Sequence, residues 1–401
     1  MLERSLRLVM INHQIVARGD GQGRVNFEII QAALRAGYEI DVISSRCAEE
    51  IAQHPRVRQH RIAVEHYPTQ LLRNFVFAFQ SMKVRKRLTV QRVMTHVNGF
   101  IAFGGSDINA AHFVHRAWLG SHAYPYRWRW NTYDVYQRLF TTINAHMEQQ
   151  AYNKARVVVA VSNKVAGELQ HIGVPAEKIR VIYNGVDTDE FHPGAGDRAR
   201  WGLPVEVPLF LFAGDLRTTR KGLDSILRAL VQVLDVHLAV AGDASRSPFP
   251  RMAKLLGLAT RVHFLGEVAE MPDLMRVADV FVFPSRYEPL GLVVLEAMAS
   301  GLPVITSRTV GAGELLGDGG LVLEDPEDVD ALATAMRRLA GDAALRRSMG
   351  KAGRVIAEQH TWAVMARQYL QLYGELANSE TLDNRILLAA QKAKLDTRPE
   401  R

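Results

Sequence analysis

The sequence predicts an α/β protein made of two doubly wound domains, each a parallel sheet covered by helices on both faces. Three observations carry that expectation. The chain has 401 residues, too many for one typical core and about right for two. Short apolar, β-rich runs recur along it, and each leads into a helix-like stretch. Turn chemistry also breaks the pattern near the middle, where Asn184-Gly185-Val186-Asp187 and His192-Pro193-Gly194-Ala195-Gly196 separate two sets of strands.

The elements follow in order. Arg7 to Ile11 is an apolar run, then a glycine-rich turn leads to a helix from about Val25 to Ala36. Gly37 closes that helix, and Glu39 to Ile43 is the next strand. Further on, Arg156 to Val161 and Ile179 to Tyr183 are strand runs flanking a helix over 163–173. The second half repeats the beat with Leu209 to Ala213, Val236 to Ala241, Val262 to Leu265, Val280 to Phe283 and Pro303 to Thr306. This sets a first domain over 1–183 and a second over 184–360. A closing helix is expected over 361–377, because Trp362, Met365, Tyr369 and Tyr373 recur at three- and four-residue steps and share a face. Residues 378–401 read as a polar tail with a short helical candidate near 386–394.

Composition narrows the class. Hydrophobic residues make up 48% of the chain, enough for a substantial core. Cys47 is the only cysteine, so an intramolecular disulfide is excluded and a reducing compartment fits. The first apolar run, Leu8 to Ile11, is too short for a signal-peptide core, and no run reaches the ~18 apolar residues of a membrane-spanning helix. The expectation is a cytoplasmic protein. Charge is uneven: residues 1–190 carry 24 Lys+Arg against 16 Asp+Glu, and residues 191–401 carry 25 against 26. A basic first half implies an anionic partner there, such as a phosphorylated acceptor, a membrane face or nucleic acid. Nucleic acid is disfavoured, because no zinc site, RNA-recognition signature or helix-turn-helix accompanies the charge.

The richest segment runs from Val280 to Pro303 and reads as strand, loop, helix and stop, ended by Gly301 and Pro303. Pro289 is expected in the first turn of that helix, and Gly291 permits close approach of a ligand to the backbone. The first N–H groups of the helix would face the loop and favour a phosphate. Glu288 stands just before the helix and Glu296 about two turns inside it. Carboxylates there suit the hydroxyls of sugar rings on either side of a phosphate, since each accepts two hydrogen bonds from a vicinal diol. The plain alternative is a solvated loop acid and a helix-surface acid. The apolar residues around Glu296 argue against it, because an unpaired acid on a buried helix is costly.

This segment resembles the signature of the retaining glycosyltransferases of family 4, in which Glu288 and Glu296 are separated by seven residues within Glu-Pro-Leu-Gly-Leu…Glu-Ala-Met-Ala-Ser-Gly-Leu-Pro-Val. Val161-Ser162-Asn163, Ile182-Tyr183-Asn184-Gly185-Val186-Asp187, Lys221-Gly222 and Val262 to Gly266 match the same family in order over about 155–375. The resemblance implies the GT-B fold, with two Rossmann-like domains facing across a cleft and a C-terminal helix crossing back to the first. It implies that Glu288 contacts the donor sugar, Glu296 the ribose, and the amides of Gly291 and Leu292 the diphosphate. It also implies a second phosphate contact from Lys221 and Arg220, so that neither metal nor cofactor is needed to move a hexose from a UDP- or GDP-sugar to a glycan or lipid-linked acceptor. Where the family has an arginine directly after the strand-end glycine, this chain has Asp215, with Arg217 two residues on; Arg217 is therefore a further donor candidate.

By the same resemblance His112, at the end of a strand in the first domain, stands near the donor sugar as a catalytic group, with His115 as the alternative. Gly19-Asp20-Gly21-Gln22-Gly23-Arg24 is a partial dinucleotide fingerprint without the third glycine, and Gly21 and Gly23 are the candidates for an acceptor and phosphate loop. Phe75 to Arg87 mixes aromatics with a cationic cluster, and Arg127-Trp128-Arg129-Trp130 repeats the mixture. Such surfaces suit an anionic membrane, which would place the protein peripherally on the inner face of the plasma membrane. A buried aromatic helix with a solvated basic end is the alternative. Other functions open to this fold are a sugar-nucleotide epimerase, a phosphorylase and a non-catalytic nucleotide-sugar binder.

Overall fold

The computed structural model describes residues 7–17, 21–88, 93–126 and 131–396, with backbone alone for Gln14 and 380–396. Its strands are β1 Arg7–Val16, β2 Glu39–Cys47, β3 Val57–Arg61, β4 Met94–Asn98, β5 Ile108–Ala111, β6 Val157–Ala160 and β7 Ile179–Val181 in a seven-stranded sheet. A six-stranded sheet follows with β8 Leu209–Ala213, β9 His237–Ala241, β10 Val262–Gly266, β11 Val280–Phe283, β12 Val304–Ser307 and β13 Gly320–Leu323. The orders are β3-β2-β1-β4-β5-β6-β7 and β10-β9-β8-β11-β12-β13, with parallel pairing at β1/β2, β1/β4, β8/β9 and β8/β11. This is the expected α/β doubly wound pattern.

The chain divides into two compact units. One gathers the residues up to Asn109, Lys154–Val157 and those from Met365 on; the other gathers Ala110–Asn153 and Val158–Val364. In the first unit, Phe77 of the helix Gln70–Leu88 is fully buried with Val9, Ile11, Ile43 and Val97 of the sheet. Met365, Tyr369 and Tyr373 are buried as their spacing predicts. The Tyr373 hydroxyl and His96 Nδ1 are 2.7 Å apart, and the His96 ring stacks on Tyr369. These contacts hold the C-terminal helix onto β4. That helix runs Trp362–Asp396, well past the expected end at Ala377. Polarity suggested a tail, but residues 378–396 contain neither proline nor glycine and include four Leu, three Ala and two Lys, which sustain a helix.

In the second unit, β8 and β11 are buried along their whole lengths, as befits central strands covered on both faces. The strand order reverses between them: β9 and β10 lie on one side, β12 and β13 on the other. The loops leaving the carboxyl ends of β8 and β11 therefore emerge side by side at a topological switch point, where open α/β sheets bind ligands. Among the described residues no helix is long and apolar enough to cross a membrane.

Candidate functional site

The loop after β11 is held on both sides. On one side, Ser285 Oγ and the Arg286 N–H donate to the Arg220 carbonyl at 3.1 and 2.7 Å. The Arg286 guanidinium forms a fork on Asp224, with bonds of 2.7 and 2.9 Å, and a further bond to Glu327 at 2.7 Å. Burial alone would lower the pKa of Arg286, but Asp224 and Glu327 outweigh that and raise it. On the other side, the Glu288 N–H donates to the Thr309 carbonyl, the Gly311 N–H donates to the Glu288 carbonyl, and Ser162 Oγ donates to the Pro289 carbonyl at 2.7 Å. Gly311 has no room for a side chain: a Cβ there would lie 2.0 Å from the Pro289 carbonyl oxygen.

So fixed, the loop presents Glu288 to the residues that follow β8. Lys221 Nζ donates to Glu288 Oε2, and Arg220 NH1 lies 3.8 Å from the same oxygen. Burial alone would push the Glu288 carboxyl up, but Lys221 and Arg220 outweigh it and hold it below the ordinary range. Burial also depresses the Lys221 ammonium, against the pull of Glu288. Arg217 is turned away from this group: its side chain is 72% exposed and bound to Asp215 at 2.8 Å.

The helix that follows is Leu292–Ala299, capped by Gly291 in the left-handed region at φ 92°. Pro289 therefore lies before the cap, not in the first helical turn as expected, because the chain must turn at Gly291 before the helix begins. Glu296 is the fifth helical residue, little more than one turn in, where two turns were expected. The amides that open this helix have no acceptor within it, so its end is electropositive and lies beside Glu288.

His112 follows β5 directly, and burial pushes its imidazole down to about 4, so the ring is neutral near pH 7. His115 is committed elsewhere: its N–H donates to Glu148 Oε2 at 3.0 Å, and its Nδ1 is 2.8 Å from Glu148 Oε1. The segment that joins these histidines touches the Glu288 loop through Tyr287, whose hydroxyl donates toward the Val114 carbonyl at 3.1 Å. Gly21 and Gly23 belong to the first unit and are the first and third residues of the helix Gly21–Arg35, which starts earlier than Val25. Gly19, Asp20 and Arg127 to Trp130 lie outside the described residues.

Comparison with known proteins identifies the family. A family model described as Glycosyltransferase Family 4 covers residues 19–190, and one described as Glycosyl transferases group 1 covers residues 207–342. Between them they account for most of the chain. This chain belongs to the family-4 glycosyltransferases. It is 30% identical over 256 residues to alpha-maltose-1-phosphate synthase of Mycobacterium tuberculosis, a match that takes in 58% of this chain and 66% of that one. Such matches span less than two thirds of the length of the first curated relatives. The glycosyltransferase also shares its GT-B fold with sucrose-phosphate synthase from Thermosynechococcus elongatus (TM-score 0.77, 24% identity, 93% of this chain and 100% of that one). A further likeness is to HepE of Anabaena in complex with UDP-glucose (TM-score 0.66, 19% identity, 92% and 100%).

Four residues that build the candidate site were not singled out by sequence reasoning: Asp224, Arg286, Tyr287 and Gly311. Tyr287 and Arg286 stood next to Glu288 in the chain and were legible as neighbours only. The Val310-Gly311-Ala312-Gly313 run carried a signal, since paired glycines after a strand mark close backbone approach.

Proposed function

We propose that this chain is a retaining hexosyltransferase that takes its sugar from a UDP- or GDP-sugar and passes it to a glycan or lipid-linked acceptor, with neither metal nor cofactor. One observation supports the reading above others: Glu288, Lys221, Arg220 and the amide end of Leu292–Ala299 converge at the carboxyl ends of β8 and β11. In this reading the diphosphate sits against that amide end, with Lys221 and Arg220 as its cations. Glu296 holds the ribose diol, and Glu288 holds hydroxyls of the transferred sugar. The bond from the anomeric carbon to the phosphate oxygen breaks as the acceptor oxygen bonds the same face, and the acceptor's proton passes to the departing phosphate. The amides and cations take up the charge that develops on the diphosphate. His112, uncharged at neutral pH, offers a dipole near the anomeric centre without repelling the positive charge that develops there. Arg217 serves as a mobile contact to the same phosphates, and Gly21 and Gly23 as the acceptor-side backbone.

The test is a calorimetric and thermal-shift screen of UDP-, GDP- and ADP-sugars, followed by product analysis with the best binder. Release of nucleoside diphosphate with transfer of the sugar, and retention of its anomeric configuration, is expected. A changed sugar still attached to its nucleotide would make the protein an epimerase. Binding with no release of diphosphate would make it a binder only.

The acceptor reading draws on the helix Gln70–Leu88, which contains five basic residues and no acid. Leu72, Phe79, Lys83 and Lys86 fall on one face by helical spacing; Leu72 and Phe79 are 41% and 49% exposed, and Lys83 and Lys86 are exposed as well. An apolar stretch continued by cations fits an anionic bilayer surface, on the inner face of the plasma membrane, where a lipid-linked acceptor would be found. Sedimentation with phosphatidylglycerol vesicles, set against phosphatidylcholine vesicles, is expected to pull down the wild type and to lose Lys83→Glu/Lys86→Glu. Equal binding to both vesicles, or to neither, would remove the membrane from this reading.

A further inference from the structure

Tyr287 is buried beside Glu288, and its neighbours reach three parts of the second unit. Its hydroxyl lies 3.1 Å from the Val114 carbonyl, in the segment that follows His112, and 3.1 Å from Glu168 Oε2 on the helix Asn163–His171. The ring lies 5.2 Å from Trp118, tilted, and 5.2 Å from Phe113, edge-on. Lys164 Nζ sits 4.2 Å over the ring while bonding Glu168 Oε1 at 2.6 Å, so the Glu168 charge is balanced without using the tyrosine.

The hydroxyl has one proton and two oxygens competing for it. Burial and the nearby Glu168 carboxylate hold its pKa well above the ordinary value, so that proton stays on the phenol at any working pH. Arg286, the preceding residue, anchors the same loop to Asp224 and Glu327. Adjacent residues thus fasten the loop to different partners. The Arg286 clamp ties the loop to the helix Leu223–Gln232 and to Glu327, and the Glu288 backbone is paired with Thr309 and Gly311; the Tyr287 hydroxyl adds the contact that sets where Glu288 stands relative to the His112 segment.

We infer that Tyr287 is a positioning residue, setting the spacing between Glu288 and the strand-end segment that carries His112. The inference rests on the functional reading above, in which both groups approach the donor sugar. Misplacement of a reacting group by about 1 Å costs up to a hundredfold in rate, so the hydroxyl should matter to turnover more than to binding.

The experiment compares full-length wild type, Tyr287→Phe and Tyr287→Ala, using UDP-glucose and GDP-mannose as probes. Three quantities are measured: melting temperature, dissociation constant by calorimetry, and the rate of nucleoside diphosphate release. For Tyr287→Phe, which keeps the ring packing, release is expected to slow about tenfold or more, with binding within about twofold and melting unchanged. Tyr287→Ala is expected to lose melting temperature as well. Undiminished release by Tyr287→Phe overturns the inference, as does a loss explained wholly by weaker binding or by a lower melting temperature. If the wild type neither binds nor cleaves either probe, the functional reading itself fails and the inference falls with it.

Discussion

Lys221 Nζ donates to Glu288 Oε2, joining the loops that leave β8 and β11 through two side chains that are 14% and 17% exposed. Residues 67 apart in sequence therefore neutralise each other at the centre of the proposed donor site. The pair keeps Glu288 ionised and pre-positioned while the site is empty. A diphosphate can then take over the ammonium and leave the carboxylate to the sugar.

Removing either partner should harm both stability and turnover. Glu288→Ala strands a buried ammonium, and Lys221→Ala leaves Glu288 with the more distant Arg220 and Lys164. Each is expected to cost about 1–3 kcal/mol in urea denaturation and more than about a hundredfold in turnover. Lys221→Ala/Glu288→Ala should be less destabilised than the two single losses added, because neither charge is left alone. Strict additivity would show that the ion pair carries no coupling.

Glu296 predicts a different signature. Glu296→Ala should weaken UDP binding by about 2 kcal/mol, roughly thirtyfold, through loss of a charged hydrogen bond to ribose. Turnover at saturating donor should change little. Equal affinity for UDP in calorimetry would assign the ribose contact elsewhere.

Acid sensitivity can be assigned in sign. His112 has a folded pKa of about 4 against an ordinary value near 6.5. As pH falls below about 6.5 the unfolded chain takes up a proton that the folded chain refuses, so stability declines until pH passes about 4. The full difference is about 3 kcal/mol. His112→Asn should flatten that part of a pH series of melting curves. Glu288, held below the ordinary carboxylate range, contributes stability above that range and loses it as pH falls through its own lower value. A turnover profile in which His112→Asn removes an inflection between pH 5.5 and 8 would contradict a neutral ring.

The Asp224–Arg286 fork is the structural anchor of the loop. Asp224→Ala should lower stability by about 3–5 kcal/mol, since it leaves a buried guanidinium with Glu327 as its remaining carboxylate, beside the Thr219 carbonyl and the Ser225 hydroxyl. A chain that also carries Arg286→Met should recover much of that stability, but not turnover if Glu288 shifts. Thermal denaturation of both variants decides it.

Much of this was legible in the sequence. The bounds of β8 and β11 were read to the residue, because central parallel strands are unbroken apolar runs closed by turn residues. The Glu288–Glu296 spacing and Lys221-Gly222 pointed to the same loops that the fold brings together. Helix starts were less legible: Leu292–Ala299 begins after Pro289 because Gly291 takes a left-handed turn, which composition does not announce.

The sequence by itself determined most of the strands, though not Val57–Arg61, Met94–Asn98 or Gly320–Leu323, and it determined which acids and bases border a helix end and which family they resemble. Those features depend on neighbours within a few residues, where side-chain chemistry and backbone preference act locally. Only the tertiary structure decided that Lys221 faces Glu288, that Arg217 turns to Asp215, that Arg286 grips Asp224 and that Tyr287 reaches the Val114 carbonyl. Each of these depends on how charge and hydrogen-bond groups are balanced once water is removed. That balance is settled by whichever partner folding brings within about 3 Å, and only Asp215, two residues away, lay nearby in the chain.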